Sequence, residues 1–407
     1  MPPGLADSFA VLPGLFWLLL PIAAASGWWL ARHAAQQEEA QEDRQSNYVK
    51  GLNYLLADQP DQALEILTQL TDAHREAVDS QLVLGRLFRR RGETDRAIYV
   101  HHKLLNRPDL SDAQRQRALL ELGEDYTCAG LLDRAEELFQ QLLDSPVQHE
   151  YETAEYHVTA LHKLIAVYEQ GKDWQQAIAH CDRLEQMTGQ VYRTQAAQYC
   201  CELAQTAYTH QQPDSALHYL NEALRRNAHC TRANLLRARL ATDQGDDHTA
   251  LQALYAIEWQ NPLLLHEALA ALTECHARLG TSHALLDWLQ GAYERYGLSW
   301  LASHLAQQLA REHGSTAALN FISKVLHDQP SFMGLRTWLE LHSREQPTTD
   351  DITPLLLRSS RQLLDASARY RCNQCGFTSK VLHWQCPSCK RWETLYPLSD
   401  LTCRTPP

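Results

Sequence analysis

Apolar residues follow a helical spacing between residues 47 and 342, and a second, longer rhythm runs through them. A small residue is followed three positions on by an aromatic or large one. Alanine comes nine positions later, and a large apolar residue four further still. Gly51, Tyr54, Ala63 and Leu67 make a first unit. Gly85, Phe88 and Ala97 make a second, closed by Pro108, and Gly123, Tyr126, Ala135, Phe139 and Pro146 make a third. Tyr168 and Ala177 mark a fourth, and Ala204, Ala216, Leu220 and Ala223 a fifth. Ala238, Ala250, Leu254 and Pro262 mark a sixth, Ala284 and Trp288 a weaker seventh, and Ala306, Ala318, Ile322 and Pro330 an eighth. From Ala63 to Ala97, and along Ala216, Ala250, Ala284 and Ala318, each step is 34 residues. The steps to Ala135, Ala177 and Ala216 are 38, 42 and 39, which predicts longer helices or loops in units three to five.

A period of 34 residues made of two helices is that of tetratricopeptide repeats. The chain is therefore predicted to be all-α, with a superhelix of about eight to nine units over residues 47–342. Small residues let the two helices of a unit approach, while the large ones fill the space between units. No unit buries its apolar face alone, so stability comes from stacking. Such arrays offer a groove for extended peptides or partner helices. Tyr156, His162, Tyr192 and Tyr199 lie on first helices of middle units. Each is a candidate partner contact, and packing between helices is an equal alternative for each.

The chain ahead of the array reads differently. No charged residue occurs from Ser8 to Ala31, a run long enough to cross a bilayer, with Trp28 and Trp29 near its end. A transmembrane helix is expected over 9–31. A cleaved leader ending at Ala23-Ala24-Ala25 competes, but no Lys or Arg precedes the run as a signal peptide requires. Arg32, Arg44 and Lys50 follow it, which places the C-terminal side in the cytoplasm. Residues 32–46, rich in Gln and Glu, read as a polar helix or a flexible tether. After the array, residues 343–369 hold a polar loop around Pro347 and then an apolar helix. Thr353 is the expected N-cap of that helix and Pro354 its first residue. This helix is expected to dock the last module onto the array.

Composition narrows the function. The chain has 407 residues and a net charge of −12, which argues against non-specific nucleic-acid binding. Its 11 cysteines include seven scattered ones with no pairing pattern, which suits a reducing compartment. No phosphate-binding glycine loop, no Gly-x-Ser-x-Gly elbow and no His-Glu-x-x-His occurs. His101 and His102 are sequence neighbours on different helix faces. The chain is not expected to be an enzyme.

The remaining four cysteines carry the clearest chemistry. Cys372-x-x-Cys375 and Cys386-x-x-Cys389 are separated by ten residues. Two such pairs present four thiolates to one soft tetrahedral ion, with bonds of about 2.3 Å. Gly376 suits a turn needing positive φ, and Pro387 pre-sets its own. A small ribbon over 370–403 with one zinc or iron ion follows, and four thiolates leave no open coordination position. Buried thiols or disulfides are the bland alternative.

Taken together, the chain resembles the lipopolysaccharide assembly protein B family. The resemblance rests on the apolar run into Gly27-Trp28-Trp29, the repeats, and the segments Tyr370-x-Cys-x-x-Cys-Gly-Phe377 and Trp384-Gln-Cys-Pro-x-Cys389. It covers most of the chain. It implies a protein of the Gram-negative inner membrane with repeats and rubredoxin-type ribbon in the cytoplasm. It also implies a role in lowering lipopolysaccharide synthesis, by helping a membrane AAA+ metalloprotease degrade the deacetylase that commits precursor to lipid A. Gathering of lipopolysaccharide-synthesis proteins is a second implied role, and a homodimer is compatible with it. Two departures stand out: Lys390 occupies the place where rubredoxins usually have Gly, and the segment between the pairs is shorter. Both favour a structural ion over electron transfer. An iron redox protein on a repeat scaffold and an exported repeat protein remain the competing readings.

Overall fold

A computed structural model describes residues 78–144, 150–345 and 352–398, with Trp28, Trp29, Arg32, Lys50, Tyr54 and Gln62. Apart from Trp28, Trp29 and Arg32, the expected transmembrane helix 9–31 and the segment 32–46 lie outside the described residues, as do most of the first repeat and Cys403. Among the described residues no helix is long and apolar enough to cross a membrane.

The chain divides into two compact units, residues 1–167 and 168–407. The first contains α1 (Val78–Arg90), α2 (Thr94–Leu105), α3 (Asp112–Cys128), α4 (Leu132–Leu143) and most of α5 (Glu150–Gly171). The second continues with α6 (Trp174–Thr188), α7 (Arg193–Thr209), α8 (Pro213–Arg226), α9 (Thr231–Asp243) and α10 (Asp247–Gln260). A 3-10 turn (Pro262–Glu267) then leads to α11 (Leu269–Leu279), α12 (Ser282–Tyr296), α13 (Ser299–Glu312), α14 (Ser315–Asp328), α15 (Phe332–Glu345) and α16 (Ile352–Ala366). These are helix pairs of tetratricopeptide type. α5 has 22 residues, the longer helix that the stretched interval between Ala135 and Ala177 predicted.

The alanine ladder explains the pairing. Ala97, Ala135, Ala177, Ala216, Ala250 and Ala318 are each the fourth residue of a second helix and each is buried. A small side chain there lets the first helix of the pair come close. Gly123 shows how close: a Cβ on it would lie 2.5 Å from Phe139 Cε1. The seventh unit breaks the ladder. Ala284 is exposed, and the buried fourth residue of α12 is Leu285. The interval ending at Ala284 therefore matches the repeat length one residue out of register with the packing.

Instead of one core there is a series of small ones, as expected when units bury surface only against neighbours. In the first unit, Val78, Leu82, Leu104 and Ala118 knit α1, α2 and α3 together. In the second, Ala250, Leu254, Ile257, Leu269, Leu285 and Leu301 belong to one cluster reaching from α10 to α13.

His101, at the position where the pattern expects a large apolar residue, is fully buried, while His102 is exposed. The ring Nδ1 of His101 lies 2.5 Å from Asp125 Oδ2, and Arg89 donates to Asp125 at 2.6 Å and to Glu121 and Glu124 at 2.8 Å each. Burial works against the Arg89 charge, but these carboxylates more than offset it and push its pKa up. The cluster satisfies its own charges, the condition under which buried ions are tolerated.

The chain ends in a three-stranded antiparallel sheet of order β2-β1-β3, with β1 at Tyr370–Cys372, β2 at Thr378–Ser379 and β3 at Leu395–Pro397. α16 begins at Ile352, so Pro354 is its third residue rather than its first. It still falls where backbone N–H groups have no partner within the helix. α16 packs on α15.

Candidate metal centre

Two turns of the same design build the site. In the first, Cys372 N–H donates to Phe377 O at 2.7 Å and Gly376 N–H to Cys372 O at 3.0 Å. In the second, Cys386 N–H donates to Arg391 O at 2.9 Å and Lys390 N–H to Cys386 O at 2.9 Å. Each turn needs one left-handed residue, Gly376 at φ +77 in the first and Lys390 at φ +57 in the second. The missing glycine noted in the sequence therefore leaves the turn intact, at the expense of a strained lysine.

The four sulfurs of Cys372, Cys375, Cys386 and Cys389 lie within 4.8 Å of one another. Cys372 and Cys389 sulfurs are 3.8 Å apart, and those of Cys375 and Cys386 3.7 Å. A tetrahedron with bonds of about 2.3 Å has edges of about 3.8 Å, whereas a disulfide would hold sulfurs at about 2.05 Å. The geometry fits a tetrathiolate ion. Burial raises the Cys372 pKa, but the Thr394 hydroxyl and the backbone N–H groups of Cys375 and Gln374 outweigh it and hold it down to about 6. The backbone N–H of Phe377, acting against burial, lowers Cys375. For Cys389 the Arg391 N–H lowers the pKa, but burial and the other three sulfurs raise it to about 11. Four crowded sulfurs thus resist giving up the last proton, and a cation at their centre removes that resistance. When bound, the ion cross-links the two turns.

The ribbon sits on the array of the second unit through Trp392, Glu393 and Tyr370, and of the array residues that meet them sequence reasoning singled out Tyr199 alone. Trp392 donates its indole N–H to Glu169 Oε1 at 2.7 Å. Its ring meets Trp174 and Tyr199 edge-on, with centroids 6.3 and 5.8 Å away. Gln198 donates to Glu393 at 2.5 Å, and burial pushes the Glu393 carboxyl above its ordinary range. At the other edge, the Tyr370 hydroxyl donates to Glu267 and lies 2.7 Å from His266 Nε2. The His266 contact, followed by that of Tyr370, holds Glu267 below its ordinary value despite burial.

Of the four candidate partner contacts, Tyr199 is completely buried on α7, donating to Glu169 and stacked on Trp174. Its ring lies 5.8 Å from that of Trp392 of the ribbon. Tyr192 is half-buried at the start of α7, its hydroxyl 3.1 Å from Gln190 Oε1. Tyr156, half-buried, and His162, exposed, lie on α5 in the first unit.

The fold and site define a class: a tetratricopeptide array carrying a rubredoxin-type metal ribbon. The family profile described as rubredoxin metal binding domain matches residues 370–397, and the tetratricopeptide repeat profile matches 48–100 and 201–262. Lipopolysaccharide assembly protein B of Escherichia coli strain K12 is 32% identical over 391 residues, covering 95% of this chain and 98% of that protein. The protein of the same name from Haemophilus influenzae is 30% identical over 402 residues, with the same coverage. The chain belongs to the lipopolysaccharide assembly protein B family.

Proposed function

We propose that the chain is an adaptor in lipopolysaccharide assembly, with the array holding protein partners and the metal holding the ribbon in place. The observation that carries this reading is the end-to-end match to relatives named for lipopolysaccharide assembly, which includes both repeat and ribbon modules. A closed tetrathiolate site supports it, since such a site has no open position for substrate. In the finer form of this proposal, residues 9–31 anchor the chain in the inner membrane with the array in the cytoplasm. The chain then presents the lipid A pathway deacetylase to a membrane AAA+ metalloprotease and gathers other lipopolysaccharide-synthesis proteins. Confinement to a membrane would raise the effective concentration of such partners.

Depleting the chain in its own host and following the deacetylase after synthesis is stopped tests this. A longer deacetylase half-life and raised lipopolysaccharide are expected. An unchanged half-life would remove the protease step, and unchanged lipopolysaccharide the adaptor role. A cytoplasm-only reporter fused after Pro407 is expected to be active.

A further inference from the structure

An open cleft of about 490 Å³ lies between the first helix of the sixth repeat and the ribbon. α9 contributes Leu236 and Arg239, and the ribbon side contributes Arg369, Lys380, Val381 and Trp384. Three of these six are cations, in a chain whose net charge is −12. Two further charged residues reach the cleft and both are occupied. Arg232 is 2.8 Å from Glu202, and Glu267 accepts from Tyr370 and sits 3.1 Å from His266.

Two of the three rim cations are different. Among the described residues no carboxylate lies within ion-pair distance of Arg239 or Lys380, and both are exposed. Arg239 rests over the Tyr208 ring, 5.1 Å from its centre. Arg369 lies 3.8 Å from the exposed carboxylate of Asp365. Between the cations the surface is apolar: Val381 is 63% exposed at the lip, with Leu236 and Trp384 further in.

We infer that this cleft binds a short acidic segment of a partner protein, with carboxylates at the rim and an aliphatic side chain on the floor. The inference rests on the adaptor reading and says where and by what chemistry a partner is held. Arg369 and Lys380 sit side by side at the end of the β1–β2 pair, where Arg369 N–H donates to Ser379 O at 2.9 Å, and Arg239 lines the same cleft from α9. Leu235, Leu236, Leu382 and Trp384 line it with them, which suits an aliphatic side chain between carboxylates, a feature that a bare phosphate group lacks.

The test uses the full chain in detergent, with a fluorescein-labelled decapeptide of alternating Glu and Leu and its Lys/Leu counterpart. Anisotropy is expected to show binding of the acidic peptide only, weakening as salt rises. Arg239→Glu with Lys380→Glu reverses two exposed charges and should weaken binding roughly tenfold or more. Val381→Asp should weaken it from the ribbon lip, and metal content should stay at the wild-type level in all variants. Equal binding by the double variant, preference for the lysine peptide, or Arg239-dependent binding of anionic phospholipid vesicles in place of the peptide would overturn the inference. Crosslinking of the wild-type chain to lipopolysaccharide-synthesis proteins in intact cells scores the adaptor reading separately. Such capture together with a negative peptide result sinks the cleft alone, and its absence sinks the adaptor.

Discussion

Trp392 in the ribbon and Glu169 at the end of α5 share a hydrogen bond of 2.7 Å across 223 residues of chain, and the same carboxylate oxygen also accepts the Tyr199 hydroxyl at 2.5 Å. One carboxylate oxygen therefore ties the metal module to the array. Burial, followed by the nearby Glu169 charge, pushes the Tyr199 pKa far up, so its hydroxyl stays a donor. Removing an aromatic anchor of this kind costs about 3–5 kcal/mol where the site does not collapse. Trp392→Ala is expected to make residues 370–398 sensitive to protease while the helical circular dichroism of the array persists. Glu169→Gln, which keeps an acceptor but loses the charge, should cost less, about 1–2 kcal/mol. Unchanged proteolysis of Trp392→Ala would show that this contact does not hold the ribbon.

Metal removal should act on the same seat. Cys372→Ser with Cys375→Ser deletes one of the two turns' ligand pairs. Elemental analysis is expected to fall from one zinc or iron per chain to background, with loss of the ribbon's protease resistance. A chelator with reductant should reproduce this in the wild type, since binding energy at such sites is folding energy. Retained metal in the double variant would refute the four-cysteine assignment.

What the sequence discloses and what it hides follow from distance along the chain. The cysteine pairs were legible because each ligand pair lies within one turn, so spacing alone defines the site. The alanines were legible because helix approach demands a small residue at the fourth position, repeat after repeat. Ala284 shows the limit of that logic: Leu285 takes the buried place, and only coordinates reveal the one-residue offset. The seat of the ribbon was hidden for a different reason. Trp392, Tyr199 and Glu169 are ordinary residues of their own segments, and nothing local says that they meet. On the helix at 352–366, Ile352, Leu355, Leu356 and Leu363 are exposed, which its apolar pattern alone does not show.

Two helical glycines should respond oppositely to alanine. Alanine gains about 0.8–1.0 kcal/mol of helix propensity over glycine. At Gly123 the new methyl would lie 2.5 Å from the Phe139 ring, and overpacking of about 1–3 kcal/mol wins, so Gly123→Ala should lower the denaturation midpoint. At Gly291 the nearest atom is Arg295 Nη1 at 3.2 Å, the remaining nitrogen of a guanidinium whose Nε and Nη2 donate to Glu258, and a shift of a few tenths of an ångström clears the methyl. Gly291→Ala should therefore raise stability. The same sign at both positions would contradict the packing argument.

Glu222 supplies an acid-dependent contribution. Its hydrogen bond from Arg225, followed by that from Arg226, overcomes burial and lowers its pKa from 4.5 to about 2. Asp182 shares Arg226 at 2.6 Å. A depressed acid stabilises the fold above its unfolded pKa, and that contribution is lost as pH falls toward the folded value. Glu222→Gln should flatten the pH dependence of stability between about 4.5 and 2. An unaltered profile in urea titrations would reject this.

Lys390 gives the last prediction. It stands at φ +57 in the second metal turn, where the first turn uses Gly376 at φ +77. An L-residue in the left-handed region costs about 1–2 kcal/mol, although glycine gives part of that back through its greater freedom when unfolded. The net expectation for Lys390→Gly is a gain of about 0.5–1 kcal/mol. Because the turn carries Cys386 and Cys389, the gain should appear as slower metal loss to a chelator as well as a higher denaturation midpoint. Lys390→Val should move both the other way, since a β-branched side chain tolerates this conformation least. If glycine and lysine proved equal while valine was harmless, backbone strain at Lys390 would be excluded as a determinant of ribbon stability.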